Sequence, residues 1–211
     1  MTMDHGHSPQ EITRRLSEGQ QYSPLKDMIY GGIDGAVTTL AIVAGVEGAG
    51  LPHSIIVALG LANILADGFS MAASNYSGTK AELDDRKRIM QIEERHIADH
   101  PEGEREELRQ ILALRGLSGR VLEQATEAIA LSKDKWIDLM LTDEYGLARN
   151  DPRPIRAALA TFVAFLVAGV VPLIPFVMSL PTPFALSVYA TLLTFFLIGA
   201  GKSHWSLSKW W

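Results

Sequence analysis

The chain has 211 residues, 47% of them hydrophobic and 20% charged, with a net charge of −5 and no cysteine. This composition excludes a disulfide scaffold, a thiolate metal site, a cysteine nucleophile and a basic protein that binds nucleic acid. The mean hydropathy of +0.12 would suit a soluble protein, but the charges are segregated. Residues 78–153 hold 13 Lys/Arg and 17 Asp/Glu, whereas the flanking segments 28–77 and 154–211 hold three charges each. One strongly charged segment therefore lies between two apolar ones.

Two apolar stretches come first in the chain, at residues 28–46 and 55–77, and each contains a single charge, Asp34 or Asp67. About 20 mostly apolar residues in a helix cross the hydrocarbon core of a membrane. Both stretches are therefore predicted to be transmembrane helices, joined by a short connection as a helical hairpin. No apolar signal segment precedes them, so the first span is expected to be retained.

The charged segment has a helical pattern that begins near residue 80 and is broken at His100-Pro101. Pro101 is expected to open a second helix, rich in glutamate at its start, which ends at the glycines of 116–119. A third helix is predicted over about 120–145, with Gly146 as its stop signal. The segment is thus predicted to form a three-helix domain.

Two further spans are predicted at residues 157–179 and 183–201, which hold no charge. Pro172 and Pro175 are expected to kink the third span or end its regular hydrogen bonding. Tryptophans after the fourth span are typical of anchors at a membrane interface: Trp205, Trp210 and Trp211. Small residues spaced by four are expected to let spans approach closely: Gly31 with Gly35, and Ala160, Ala164 and Ala168.

The predicted fold is an all-α polytopic membrane protein with four transmembrane helices and a cytoplasmic three-helix metal-binding domain between the second and third. All Lys and Arg residues lie on one side of the predicted membrane, and the positive-inside rule makes that side cytoplasmic. Residues 1–27 are predicted to be a cytoplasmic amino-terminal segment, residues 28–77 a helical hairpin and residues 78–153 the inserted domain. Residues 154–201 are predicted to form a second hairpin, and residues 202–211 an interfacial end.

Candidate metal ligands recur at helical spacing in the charged segment. Glu93 and His96 are three residues apart, a spacing that puts both on one face of a helix and forms half of a di-iron carboxylate motif. Two further pairs share a helical face: Glu104 and Glu107, which are three residues apart, and Met140 and Glu144, which are four apart. Carboxylates, imidazole and a thioether suit Fe²⁺, Mn²⁺ or a similar divalent ion.

Simpler interpretations compete with this one. Glutamate-rich helices are usually solvated faces, and an isolated Met140 is more often a core residue. His96 and His100 form a second possible ligand pair that also fits an ordinary surface, and His5 and His7 lie near the amino terminus. The glycines of 45–50 lack the strand–turn–helix setting of a dinucleotide loop.

Two carboxylates lie inside predicted spans, where a charge costs at least ~2.5–3.5 kcal/mol and usually marks an ion pathway. Asp34 is seven residues into its span, about 10 Å deep at ~1.5 Å per residue. Asp67 shares a helical face with Met71, Asn63 and Ser74. We favour an ion pathway lined by these polar residues over a role for the two aspartates in helix packing alone.

Three motifs resemble the vacuolar iron transporter family of iron and manganese transporters. They are GGIDGAVTT at 31–39, ADGFSMA at 66–72, and WIDLM at 136–140 followed by Glu144. The resemblance runs from about Tyr22 to the end of the chain. It implies a homodimer in the lipid bilayer that exports Fe²⁺, and often Mn²⁺, from the cytosol in exchange for protons, without an organic cofactor.

The resemblance also assigns residues. It implies that the metal ligands of the cytoplasmic domain are Glu93, Glu104, Glu107, Met140 and Glu144, and that Asp34 and Met71 line the membrane pathway. His96 stands where better-known members have Glu, and Leu141 where they have a second Met; either difference could change the number or preference of bound ions. The family typically has five spans, and residues 202–211 resemble the lead-in to the fifth.

Three functions follow as hypotheses. The first is proton-coupled export of Fe²⁺ or Mn²⁺, in the inner membrane if the source is bacterial and in a vacuolar-type membrane if it is eukaryotic. The second is a membrane-tethered metal buffer or sensor that does not transport. The third, a ferroxidase, is disfavoured because only one Glu-x-x-His motif occurs where a di-iron centre needs two, so no enzyme activity is expected.

Overall fold

The computed structural model describes residues 7–18, 22–148 and 151–203, and all regular secondary structure in these ranges is helical. The all-α prediction is therefore confirmed for the described part of the chain. The α-helices, in chain order, are α1 (Pro9–Glu18), α2 (Leu25–Gly48), α3 (His53–Asp99), α4 (Pro101–Leu114), α5 (Gly119–Ala130), α6 (Lys133–Asp143), α7 (Pro154–Val170), α8 (Ile174–Val177) and α9 (Pro183–Ser203).

The chain divides into two compact units. The charged unit comprises Met1–Tyr22 and Ala81–Pro152, and the membrane unit comprises Ser23–Lys80 and Arg153–Trp211. Helix α3 begins in the membrane unit and ends in the charged unit, so the predicted second span and the first helix of the charged segment are one helix. Predicted features at His5, Trp205, Trp210 and Trp211 lie outside the described residues.

Four helical segments of the membrane unit are long and apolar enough to cross a membrane, as predicted. They are α2, the apolar part of α3, the broken helix Pro154–Val177, and α9. The third is interrupted where Pro172 and Pro175 fall, because a proline has no N–H to continue the helical ladder. A 3₁₀ turn, Val171–Leu173, separates α7 from α8. The Ser187 hydroxyl of α9 donates a hydrogen bond of 2.8 Å to the carbonyl of Pro172.

Helices α2 and α7 pack backbone against backbone at two glycines of α2. A Cβ atom on Gly31 would lie 2.3 Å from the carbonyl oxygen of Thr161, and one on Gly35 would lie 2.4 Å from that of Phe165. Both distances are far below van der Waals contact, so only glycine permits this approach. The predicted close packing at Gly31 and Gly35 is confirmed.

Replacing Gly35 with alanine is expected to destabilise the membrane unit, because the obstacle to the new methyl group is backbone and cannot rotate away. Overpacking of this kind typically costs ~1–3 kcal/mol. Gly45 lies on the same helix with nothing within 4 Å of its Cβ position, so Gly45→Ala is the matched control. Thermal unfolding in detergent should give a lower melting temperature for Gly35→Ala alone. Equal melting temperatures for the two variants would contradict the packing described.

The charged unit is held together by a hydrophobic cluster that joins three helices. Its buried members are Leu108 and Leu112 of α4, Leu122 of α5, and Trp136 and Met140 of α6. A smaller cluster connects Ile89 of α3 with Ile137 and Leu141 of α6. Helix α6 therefore contributes to both clusters through neighbouring faces.

The predicted third helix of this segment is wrong in one respect, since it is two helices. Helix α5 ends at Ala130 and α6 begins at Lys133. Ser132 precedes α6 with extended backbone angles (φ −121°, ψ 99°), a position at which serine is favoured. The break gives α6 a new direction, so that Trp136 and Met140 pack against the same cluster as Leu122 of α5.

Candidate metal centre

A break between helices α3 and α4 of the charged unit brings together side chains that one continuous helix would keep apart. Glu93 and His96 lie on the last turns of α3, and Glu104 lies on the first turn of α4. Between the helices, His100 leaves the helical conformation (φ −135°, ψ 52°), as expected of a residue that precedes a proline. The predicted break at His100-Pro101 is confirmed, and it places Glu104 beside the end of α3.

Glu93, His96 and Glu104 each offer one ligand atom, and the three atoms lie within 4.8 Å of one another. The His96 Nδ1 atom is 3.8 Å from Oε1 of Glu93 and 3.4 Å from Oε1 of Glu104. We call these three residues the donor cluster. Its two carboxylates and one imidazole suit a divalent ion such as Mn²⁺, Fe²⁺ or Zn²⁺.

Burial makes the donor cluster unlike an ordinary acidic surface. Glu93 is 1% exposed and Glu104 is 7% exposed, and the Oε2 atom of each is buried without a hydrogen-bond partner. Buried carboxylate oxygens are costly unless they are hydrogen-bonded, protonated or bound to a cation. By contrast, Glu106 of the same helix is on the surface and pairs with Arg109 at 2.7 Å. The donor cluster therefore fits a cation on two independent features, its geometry and its unpartnered oxygens.

Electrostatic interactions connect the donor cluster with two exposed glutamates, Glu107 and Glu144. Burial, followed by the negative charges of Glu93 and Glu107, raises the pKa of Glu104 to about 7. Burial, with the charges of Glu93 and Glu107, also raises the pKa of Glu144. The negative charges of Glu93 and Glu107 thus disfavour ionisation of Glu104 and Glu144, an effect that a divalent cation would relieve.

Tyr145 is part of this site, although nothing in the sequence singled it out beyond its position next to Glu144. Its hydroxyl donates a hydrogen bond of 2.8 Å to Oε1 of Glu93. Burial and this hydrogen bond raise the pKa of Tyr145, so the hydroxyl keeps its hydrogen at neutral pH. Gly146 (φ +67°), three residues after the end of α6, adopts the left-handed conformation that favours glycine. This turn positions both Glu144 and Tyr145.

The other predicted ligands take different environments. Met140 is fully buried in the hydrophobic cluster with Leu108 and Trp136, and Leu141 packs in the smaller cluster with Ile89. His100 and His7 are exposed. Among the predicted ligands, the structure thus brings Glu93, His96 and Glu104 together and places Met140 in the core of the unit. Glu107 and Glu144 lie close enough to act on this site electrostatically.

Cation binding at this site is expected to weaken as the pH falls through 7, because a proton on Glu104 competes with the metal. For one group with a pKa of about 7, the apparent affinity at pH 6 should be about tenfold lower than at pH 8. Isothermal titration of the purified protein with Mn²⁺ at both values measures the difference. An affinity that does not change between pH 6 and 8 would contradict the role of Glu104.

A second group of polar residues lies between α2 and α3 in the membrane unit. Asp34, Asp67 and Met71 are half-buried, and the two aspartates interact electrostatically. One turn from each aspartate, the Asn63 side-chain amide donates a hydrogen bond of 3.3 Å to the Thr38 hydroxyl. The two helices therefore share a polar strip within an otherwise apolar unit.

These features define a class of protein, an all-helical membrane protein with donor groups for a divalent cation. Residues 25–211 match the model of the VIT family. The chain is 32% identical over 191 residues to vacuolar iron transporter 1 of Arabidopsis thaliana, covering 88% of this chain and 75% of the relative. It is 30% identical over 205 residues to vacuolar iron transporter 1 of rice, covering 96% and 79%. A vacuolar iron transporter of Toxoplasma gondii is 31% identical, covering 84% and 63%.

The chain belongs to the VIT family, as the sequence motifs predicted. It is an integral membrane protein, and its family indicates transport of metal ions rather than enzymatic catalysis.

Proposed function

We propose that the chain is a homodimeric transporter that exports Fe²⁺, Mn²⁺ or both from the cytosol in exchange for protons. The observation that carries this proposal is the donor cluster, in which two nearly buried glutamates face one imidazole and leave two oxygens unpartnered. Such a cluster suits a divalent ion of intermediate hardness. Iron as the cargo is further supported by the names of the plant and parasite relatives.

The charged unit would collect the ion on the cytoplasmic side. Its placement there follows from the positive-inside rule, since the apolar connections between paired spans carry no Lys or Arg. Glu93, His96 and Glu104 would bind the ion directly, and Glu107 and Glu144 would add negative charge around it. The relatives' names suggest a vacuolar-type membrane if the source is eukaryotic.

Asp34, Asp67 and Met71 would form the path through the membrane. A cation near Asp34 favours the ionised carboxylate, and a proton that binds the same carboxylate from the far side displaces the cation. This competition couples metal movement in one direction to proton movement in the other. The interaction between Asp34 and Asp67 would let one cation bind between two carboxylates.

The proposal is tested with purified protein in liposomes that enclose a fluorescent dye quenched by Mn²⁺. We expect Mn²⁺ to enter faster when the vesicle interior is acidic than when the pH is equal on both sides, and to enter slowly in protein-free vesicles. Mn²⁺ binding without any flux would instead support a membrane-tethered metal buffer or sensor. Flux that is independent of the pH gradient would contradict proton exchange.

A further inference from the structure

The hydroxyl of Tyr145 contacts the donor cluster from outside it. Tyr145 lies after α6 and Glu93 lies on α3, 52 residues earlier, yet the two are joined by a hydrogen bond of 2.8 Å. A phenol has one O–H hydrogen, and here a carboxylate oxygen accepts it. The negative charge of Glu144, the preceding residue, also acts on Tyr145. Tyr145 therefore interacts with the glutamate at the centre of the site and with one at its edge.

This hydrogen bond makes the two oxygens of Glu93 different from each other. Oε1 accepts the Tyr145 hydroxyl, whereas Oε2 is buried and has no partner. A carboxylate anchored through one oxygen resists rotation about its last torsion. Glu93 is therefore held ready to bind an ion through a single oxygen.

Single-oxygen binding favours some ions over others. Ca²⁺ takes six to eight oxygen ligands and often binds a carboxylate through both oxygens, whereas smaller ions prefer a near-octahedral shell. The imidazole of His96 is a further ligand that suits Mn²⁺, Fe²⁺ or Zn²⁺ better than Ca²⁺. An anchored Glu93 carboxylate would add to this discrimination, because it could not turn to bind Ca²⁺ through both of its oxygens.

We propose that Tyr145 is a positioning residue, whose hydroxyl fixes the Glu93 carboxylate and thereby makes the donor cluster prefer Mn²⁺ and Fe²⁺ over Ca²⁺. This inference rests on the proposed function, since it requires that the donor cluster binds the cargo ion. It concerns the discrimination against Ca²⁺ and the role of Tyr145 in it, which neither the family nor the names of the relatives specify.

The test compares the parent, Tyr145→Phe and Tyr76→Phe, as full-length proteins in detergent, by isothermal titration with Mn²⁺ and with Ca²⁺. Tyr145→Phe removes only the hydroxyl. Hydrogen-bond partners of metal ligands are typically worth 10- to 100-fold in affinity. We expect Mn²⁺ to bind at least about tenfold more weakly to this variant, with Ca²⁺ binding unchanged or tightened. Tyr76 lies on α3 and is 40% exposed; its variant should match the parent for both ions.

The ratio of the two affinities separates positioning from general loosening of the fold. Irreversibly unfolded protein would reduce the number of sites per chain, which the titration reports separately, and reversible unfolding would weaken the binding of both ions by the same factor. Equal weakening of Mn²⁺ and Ca²⁺ would overturn the inference, and so would unchanged binding of both. Absence of Mn²⁺ binding by the parent would overturn the proposed function as well.

Discussion

Replacing Asp34 with asparagine is expected to abolish most Mn²⁺ transport while leaving Mn²⁺ binding by the charged unit unchanged. Asp34 shares the polar strip with Asp67, and its carboxylate is the group on which cation and proton compete in the proposed cycle. An amide keeps the size of the side chain but removes both the negative charge and the titration. Hydrogen bonds that involve a charged group are worth ~1.5–3 kcal/mol, so transport should fall about 10- to 100-fold.

The matched control is Glu47→Gln, which makes the same change at the end of the same helix. Glu47 pairs with His53 at 3.3 Å beside the connection between α2 and α3, away from the polar strip. Initial rates of Mn²⁺ entry into proteoliposomes should be near the parent value for Glu47→Gln and near background for Asp34→Asn. Parent-like transport by Asp34→Asn would rule out the proposed proton exchange at this residue.

Replacing Glu104 with glutamine is expected to have opposite effects on metal binding and on the stability of the metal-free protein. Metal binding should weaken because an anionic ligand is lost. The fold should become more stable above pH 7, because the ionised Glu104 carboxylate is buried beside other negative charges. Two measurements on one variant thus test whether the site stores unfavourable electrostatic energy that a cation relieves.

The pH dependence of the stability effect follows from the direction of the pKa change. The pKa of Glu104 is raised from 4.5 to about 7 in the folded protein, so the folded state binds more protons than the unfolded state. Stability of the metal-free parent is therefore lost as the pH rises from about 4.5 through 7. At pH 8 the loss is at most about 3 kcal/mol, and at pH 4 it is absent.

Melting temperatures of the metal-free parent and of Glu104→Gln should therefore differ at pH 8 and converge towards pH 4. Glu106→Gln is the control, since Glu106 lies on the same helix but is exposed and paired with Arg109. It should leave Mn²⁺ affinity at the parent value. A Glu104→Gln variant that is less stable than the parent at pH 8 would show that the carboxylate stabilises the metal-free fold, contrary to this account.

Local patterns in the sequence were sufficient to predict much of the fold. Apolar stretches of membrane length predicted the four spans, and the prolines at 172 and 175 predicted the interruption of the third. The spacing of Glu93 and His96 predicted that they share a helical face, and Pro101 predicted the break that follows them. Each of these features depends on residues within one or two helical turns, where backbone geometry decides the outcome.

Features that depend on packing between distant segments could not be predicted. Glu104 and Glu107 have similar sequence surroundings, yet only Glu104 is buried, because burial depends on how α4 lies against its neighbours. The hydrogen bond from Tyr145 to Glu93 requires the break between α5 and α6, which the continuous helical pattern concealed. The placement of Met140 in the core likewise follows from the new direction of α6 after Ser132.

In the proposed transport cycle, Glu93, His96 and Glu104 bind the transported ion. Crystals of the full-length protein grown with Mn²⁺, with anomalous diffraction recorded to locate the metal, test it most directly. We predict an anomalous peak within bonding distance of all three side chains, next to the Oε2 atoms of Glu93 and Glu104, which have no hydrogen-bond partner. Peaks at other positions with these three side chains unliganded, or no peak in the charged unit, would contradict the claim.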